Sequence, residues 1–292
     1  MNKKIILFTA ILFAAVCACA QQPCGAVDAI KFITVEVSDN LRLMMPPDIE
    51  AKYKAGGAAN FIKRVSRNIE TVLQIKINYP EKPVFTFMVL HRGEEFHNIS
   101  GSPFENGIAG VACRNKVLAI DDVGFFNHKG GTNDIGLIHE LAHIMHDYFF
   151  TGLGRISEGF AEVIPFYILG LEDETQKEII RNMKEDDFYT VVSLGKKGAM
   201  FQDKNENRRA QHRKTYISMY LWMRGYLQEL EKQRNIDKIE ALNLVLAEFK
   251  KAESMATWKE KDNHIAALIG LKPDVVFNSV KLQLEAQKDF LQ

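Results

Sequence analysis

The chain has 292 residues, of which 47% are hydrophobic and 25% charged; this buries a core and excludes a disordered or collagen-like chain. Its 37 basic residues balance 37 acidic ones, so little attracts phosphate backbones or anionic lipid, which argues against a nucleic-acid or electrostatic membrane partner. The length allows one large domain or two small ones.

Residues 1–20 read as an export signal and not as part of the fold. Lys3 and Lys4 precede the apolar run Ile5–Val16, and the run is too short to span a bilayer, which takes about 20 apolar residues. Ala18-Cys19-Ala20 forms an A-x-A cleavage site before Gln21, while Val16-Cys17-Ala18-Cys19 forms a weak lipobox that would lipidate Cys19. The expected location is secreted or periplasmic, or lipid-anchored at the cell envelope through Cys19. No other segment has the length and apolarity of a membrane span. Cys24 and Cys113 remain after cleavage. They could pair in an oxidising compartment or both stay free, and they lie too far apart in sequence for a zinc-type Cys set.

The remaining elements follow in order. Residues 30–37 are β-branched and partly alternating, a strand pattern. Met45-Pro46-Pro47 breaks the chain. From Ala58 to Ile75 apolar residues recur at helical spacing (Phe61, Ile62, Val65, Ile69, Val72, Leu73). Val84–Leu90 is a second strand. Residues 100–110 are rich in Gly, Ser and Pro and read as a loop. Gly110–Ala112 and Val117–Ile120 are short strands that could form a hairpin around Arg114-Asn115-Lys116. Thr132, Asn133 and Asp134 offer caps for a helix over Ile135–Phe150, which Gly152 and Gly154 end. Ser157–Leu169 is expected to be helical despite Pro165, and Thr175–Met183 is a third helix. Asp203–Arg213 reads as a solvated loop leading into a helix over Thr215–Gln233. Further helices cover about 236–252 and 255–269. The fold class is therefore α+β: residues 21–130 form a strand-rich lobe, residues 131–292 a helical lobe, and the two are expected to share a cleft.

His139-Glu140-Leu141-Ala142-His143 is an H-E-x-x-H string. Chance would produce it about 0.02 times in a chain of this composition, and it falls within an expected helix. Positions i and i+4 share one helix face about 6 Å apart along the axis, so two imidazoles can meet one ion. Glu140 can reach the water that such an ion activates and act as general base. A catalytic zinc with one open position needs a third ligand. Glu158, in Ile156-Ser157-Glu158-Gly159-Phe160-Ala161-Glu162, follows the Gly152/Gly154 turn and is the best candidate. Glu162, one turn on, could orient a ligand histidine. His146 lies about 10 Å along the axis from His139, too far to share one ion. The charge run Lys184-Glu185-Asp186-Asp187 and the isolated His91, His97, His128 and His264 have bland readings.

H-E-x-x-H followed by Ser-Glu-Gly-Phe-Ala-Glu resembles the gluzincin metallopeptidases, the clan of thermolysin and the zinc aminopeptidases. The stretch from His139 to Tyr148 is similar to the thermolysin active helix. The Glu-Gly-x-Ala form at Glu158 looks more like the bacterial, peptidase-MA-like branch. The resemblance spans about residues 84–230 and is specific at 139–162. It implies a zincin-like fold, with a small mixed sheet packed on the active helix and a helical lobe after it, a Zn2+ held by His139, His143 and Glu158, and a peptide or protein substrate. It also implies an edge strand for the substrate backbone, for which Gly107–Ala112 is the candidate. An oxyanion donor is implied too, with Tyr216 favoured over Tyr220 and His212. The His143–Glu158 gap is shorter than in the named enzymes, and the G-A-M-E-N motif of the zinc aminopeptidases is absent, which points toward endopeptidase action. The metzincin extension H-x-x-G-x-x-H is also absent. A binding protein that retains the scaffold without turnover, and a zinc hydrolase of a non-peptide amide, are the alternative functions.

Overall fold

The computed structural model describes residues 31–56, 59–79, 81, 83–91, 110–113, 117–121, 135–147, 156–171, 208–252, 254–255, 257–268, 270–272, 275–276, 278–279 and 282. The export signal, Cys19, Cys24, the loop before Gly110 and the helix expected over Thr175–Met183 lie outside them. The described residues are α+β, with a small mixed sheet and a larger helical part. Among the described residues the chain divides into two units, one holding those up to residue 69 and from 82 to 147, the other those from 70 to 81 and from 156 onward.

The first unit is built on five strands: β1 (Ile33–Ser38), β2 (Leu41–Met45), β3 (Phe85–Leu90), β4 (Gly110–Cys113) and β5 (Val117–Asp121). Their order across the sheet is β1-β2-β3-β5-β4. The β1–β2 and β4–β5 pairs are antiparallel, while β2–β3 and β3–β5 are parallel. Central β3 has Phe85, Phe87, Met88, Val89 and Leu90 all at or below 2% exposure, as a near-continuous apolar run requires when both faces of a strand are covered. Edge strand β1 alternates half-buried and exposed residues, the pattern of a strand with one open face. Helix α1 (Pro47–Lys54) has proline at its first position and acids before bases along its length, matching the helix dipole. Helix α2 (Ala59–Leu73) buries Phe61, Val65, Ile69 and Val72 along one stripe, and Phe61 meets Phe87 edge-to-face at 6.3 Å. Helix α3 (Ile135–Asp147) packs against β4 and β5.

The second unit contains α4 (Ile156–Val163), a π-turn over Ile164–Ile168, α5 (Arg208–Arg234), α6 (Lys238–Ala252) and α7 (Trp258–Leu268). Pro165 explains the π-turn. It has no N–H to donate, and its ring would collide with the carbonyl of residue 161 in an α register. The helix widens instead, and Leu169 N–H donates to the Ile164 carbonyl at 3.0 Å, five residues back. Caps fix the later helices. Asp237 Oδ1 accepts from the N–H groups of Ile239 and Glu240 at 2.8 and 2.9 Å, at the start of α6. Thr257 and Glu260 form a reciprocal capping box at α7. Asn243 Nδ2 donates to the Lys76 carbonyl, and Asn243 Oδ1 accepts from Asn78 N–H, both at 2.9 Å. This clamp ties the extended 76–78 segment to α6.

Four features differ from the sequence expectation. Strand β2 was hidden by the Pro46-Pro47 break that follows it. Pro47 starts α1 and ends nothing, since the first helical position needs no N–H partner. Helix α5 begins at Arg208, inside the stretch whose charge pattern predicts a loop; Arg, Gln and Lys are good helix formers, and their charge masked that propensity. The helix expected over Ser157–Leu169 changes register at Pro165.

Candidate metal centre

Helix α3 carries the H-E-x-x-H string on one of two opposed stripes. Ile138, Leu141, Ala142 and Met145 recur at helical spacing and are at or below 2% exposure. They hold the helix on the protein. Gly136, His139, Glu140 and His143 recur on the other stripe, where Gly136 is exposed and the other three are half-buried. The apolar stripe therefore sets the rotation of α3 and turns the two imidazoles and the Glu140 carboxylate toward accessible space.

The two imidazoles meet. Nε2 of His139 and Nε2 of His143 are 3.2 Å apart, with ring centroids 4.8 Å apart at 81°. Two nitrogens about 2.05 Å from one tetrahedral ion stand about 3.3 Å apart, so the observed separation fits a shared zinc. It also fits a hydrogen bond between the rings when one Nε2 is protonated. A third potential donor stands with the pair. His139, His143 and Glu158 form a group in which one ligand atom of each lies within 4.8 Å of the others, and all three are half-buried. Two imidazole nitrogens and one carboxylate oxygen are the donor set zinc takes at catalytic sites.

Glu158 stands in the first turn of α4, where the helix dipole favours a carboxylate. The residue after it is a feature the sequence reading missed. A Cβ on Gly159 would lie 2.6 Å from the backbone oxygen of Met219 on α5 and 3.0 Å from its carbonyl carbon. Helices α4 and α5 approach so closely here that only glycine fits. The signal available in sequence was a glycine in mid-helix, costly by about 1 kcal/mol unless packing demands it.

The other expected site residues are placed as follows. Glu162 is half-buried on α4, one turn beyond Glu158, and Tyr216 is half-buried on α5. Tyr220 is fully buried. Its ring meets Phe166 edge-to-face at 5.8 Å, and its hydroxyl accepts from Arg224 Nη1 at 3.1 Å, so it is a packing residue of the helical unit. The side chains of His212 and His146 lie outside the described residues. His91 pairs with Asp48 at 3.0 Å on the surface.

A polar cluster fastens the π-turn to α5 and α6. Tyr167 O–H donates to Glu231 Oε1 at 2.8 Å, and Lys238 Nζ donates to the Tyr167 carbonyl at 3.2 Å. The guanidinium of Arg224 lies 5.3 Å from the Tyr167 ring centre. Burial, together with the Glu231 carboxylate, pushes the Tyr167 phenol well above its ordinary range. Burial likewise raises the Glu231 carboxyl.

No family model, curated protein or solved structure matched the chain.

Proposed function

We propose that the chain is an exported zinc-dependent peptidase of gluzincin type with a zincin-like fold. One observation carries the reading: two imidazole nitrogens at ligand spacing, with a carboxylate from the next helix in the same group. His139, His143 and Glu158 would hold the ion, which would supply Lewis acidity toward a water and a substrate carbonyl. Glu140 shares the accessible stripe of α3 with both histidines, so it is the group to take the proton from the water and deliver it to the leaving amine. Glu162 orients a ligand histidine by accepting its outer N–H. Tyr216 donates toward the oxygen on which charge develops. Strand β4 ends the sheet order beside α3, and its outer edge receives the substrate backbone as an added strand. Export rests on the pattern of residues 1–20.

The test is metal analysis of the purified protein combined with cleavage of a mixed peptide library. The parent is expected to hold about one zinc per chain and to cleave. Glu140→Gln is expected to keep the metal and to lose at least about 100-fold in rate. Cleavage by that variant at the parent rate would end the mechanism. Zinc without cleavage in the parent would leave a binding scaffold.

A further inference from the structure

We infer that Gly159 is a positioning residue for the metal centre: its missing side chain lets α4 seat against the Met219 backbone and so sets where the Glu158 carboxylate stands. The inference rests on the reading of Glu158 as a ligand. A Cβ at position 159 would meet the Met219 backbone oxygen at 2.6 Å, the carbonyl carbon at 3.0 Å and Met219 Cβ at 3.2 Å. The first two atoms belong to the backbone of a helix whose residues 217–223 are all buried, so they cannot swing aside as a flexible side-chain tip would. The strain falls on α4 instead. Residue 158 is next to the contact, in the first turn of a helix whose far end is held by the Tyr167–Glu231 and Lys238 bonds. A helix pinned at one end and pushed at the other tilts, and the displacement is largest at the pushed end, where Glu158 stands.

Gly136 is the internal control. It also lies in a helix, on the same stripe as His139 and His143, but a Cβ there meets nothing within 4 Å. Alanine at 136 adds a side chain beside the centre without moving a helix.

The experiment measures Zn2+ affinity by chelator competition and the Co2+ ligand-field spectrum of the full chain, alongside far-UV circular dichroism to establish folding. Gly159→Ala is expected to weaken zinc binding by about 10–100-fold and to alter the Co2+ spectrum, while Gly136→Ala changes neither. Because Gly159 acts through Glu158, a double-mutant cycle must close. In a Glu158→Gln background, which retains only the two histidines, Gly159→Ala is expected to cause no further loss. An undiminished affinity in folded Gly159→Ala, or an equal loss with and without Glu158, would overturn the inference. Met219→Ala leaves both backbone atoms of the contact in place and is expected to keep zinc affinity near that of the parent; a loss as large as that of Gly159→Ala would show that side-chain packing, and not the backbone approach, sets the carboxylate, and would overturn the inference. If Gly159→Ala does not fold, the contact serves folding alone and the assignment is wrong. A parent chain that binds neither Zn2+ nor Co2+ would instead remove the metal reading itself.

Discussion

Helices α3 and α4 supply the candidate ligands in two different ways. On α3 the donors are set by the helix itself. His139 and His143 stand four residues apart, and any regular helix brings them onto one face. Their 3.2 Å separation needs only α-helical backbone and suitable rotamers. On α4 the single donor is set by packing. Glu158 is placed by the close approach of α4 to α5 at Gly159. A local rule thus places two of the three candidate donors, and tertiary contact places the third. The first is robust to changes elsewhere, and the second is exposed to any substitution that shifts one helix on another.

The largest expected effect breaks the local half. His143→Ala should lower zinc affinity by more than the roughly 10–100-fold that follows loss of a supporting residue, because it removes a ligand outright. Metal content after dialysis would check this, and full retention of zinc would show that the pair does not bind it. The next effect separates the two helices by sign. Gly159→Ala should cost about 1–3 kcal/mol of stability through overpacking. Gly136→Ala should gain up to about 1 kcal/mol, since alanine favours a helix and meets no neighbour. Chemical denaturation of both variants measures the pair, and equal signs would refute the contrast.

The smallest effect concerns the far anchor of α4. Tyr167→Phe removes one hydrogen bond to a half-buried carboxylate and should cost about 1 kcal/mol. It should also change the response to pH. The Tyr167 phenol is raised in the folded state by burial and by Glu231, so its protonated form is favoured there. The resulting stability is complete below the unfolded phenol value of about 10 and falls as pH rises beyond it. Thermal unfolding between pH 9 and about pH 11 should show that fall in the parent and a smaller one in Tyr167→Phe.

Much of this was legible in the residues because it rests on short-range periodicity. The apolar stripe of α2, strand β3, the β4–β5 ladder and the H-E-x-x-H face are patterns of a few residues each. Phe61, Val65, Ile69 and Val72 are all buried as their spacing requires. The illegible parts depend on partners distant in sequence. Strand β2 is stabilised by β1 and by β3, some forty residues on, and its own pattern ends in prolines that mimic a break. The charged start of α5 looks like solvated loop when read alone. The role of Gly159 depends on Met219, sixty residues away; a glycine within an expected helix hints at close packing, but the local string Ser157-Glu158-Gly159-Phe160 does not name the partner. Glu158 itself was legible only through its neighbourhood to H-E-x-x-H.

The π-turn at Ile164–Ile168 has a further consequence. A π-turn is an α-helix that has absorbed one surplus residue, and one residue corresponds to about 100° of rotation. In sequence, the periodicity before it and the periodicity after it are therefore offset by that angle. Deleting Pro165 itself would remove both the surplus residue and the ring that forbids the α register, and so restore an unbroken spiral. With Tyr167 still tethered, Glu158 and Glu162 would keep nearly their present face, because the wider turn already takes up the extra residue. The placement of both carboxylates is thus buffered against one residue of chain length at this point, whereas a deletion within α4, where no wide turn absorbs it, would rotate the residues before it by about 100°.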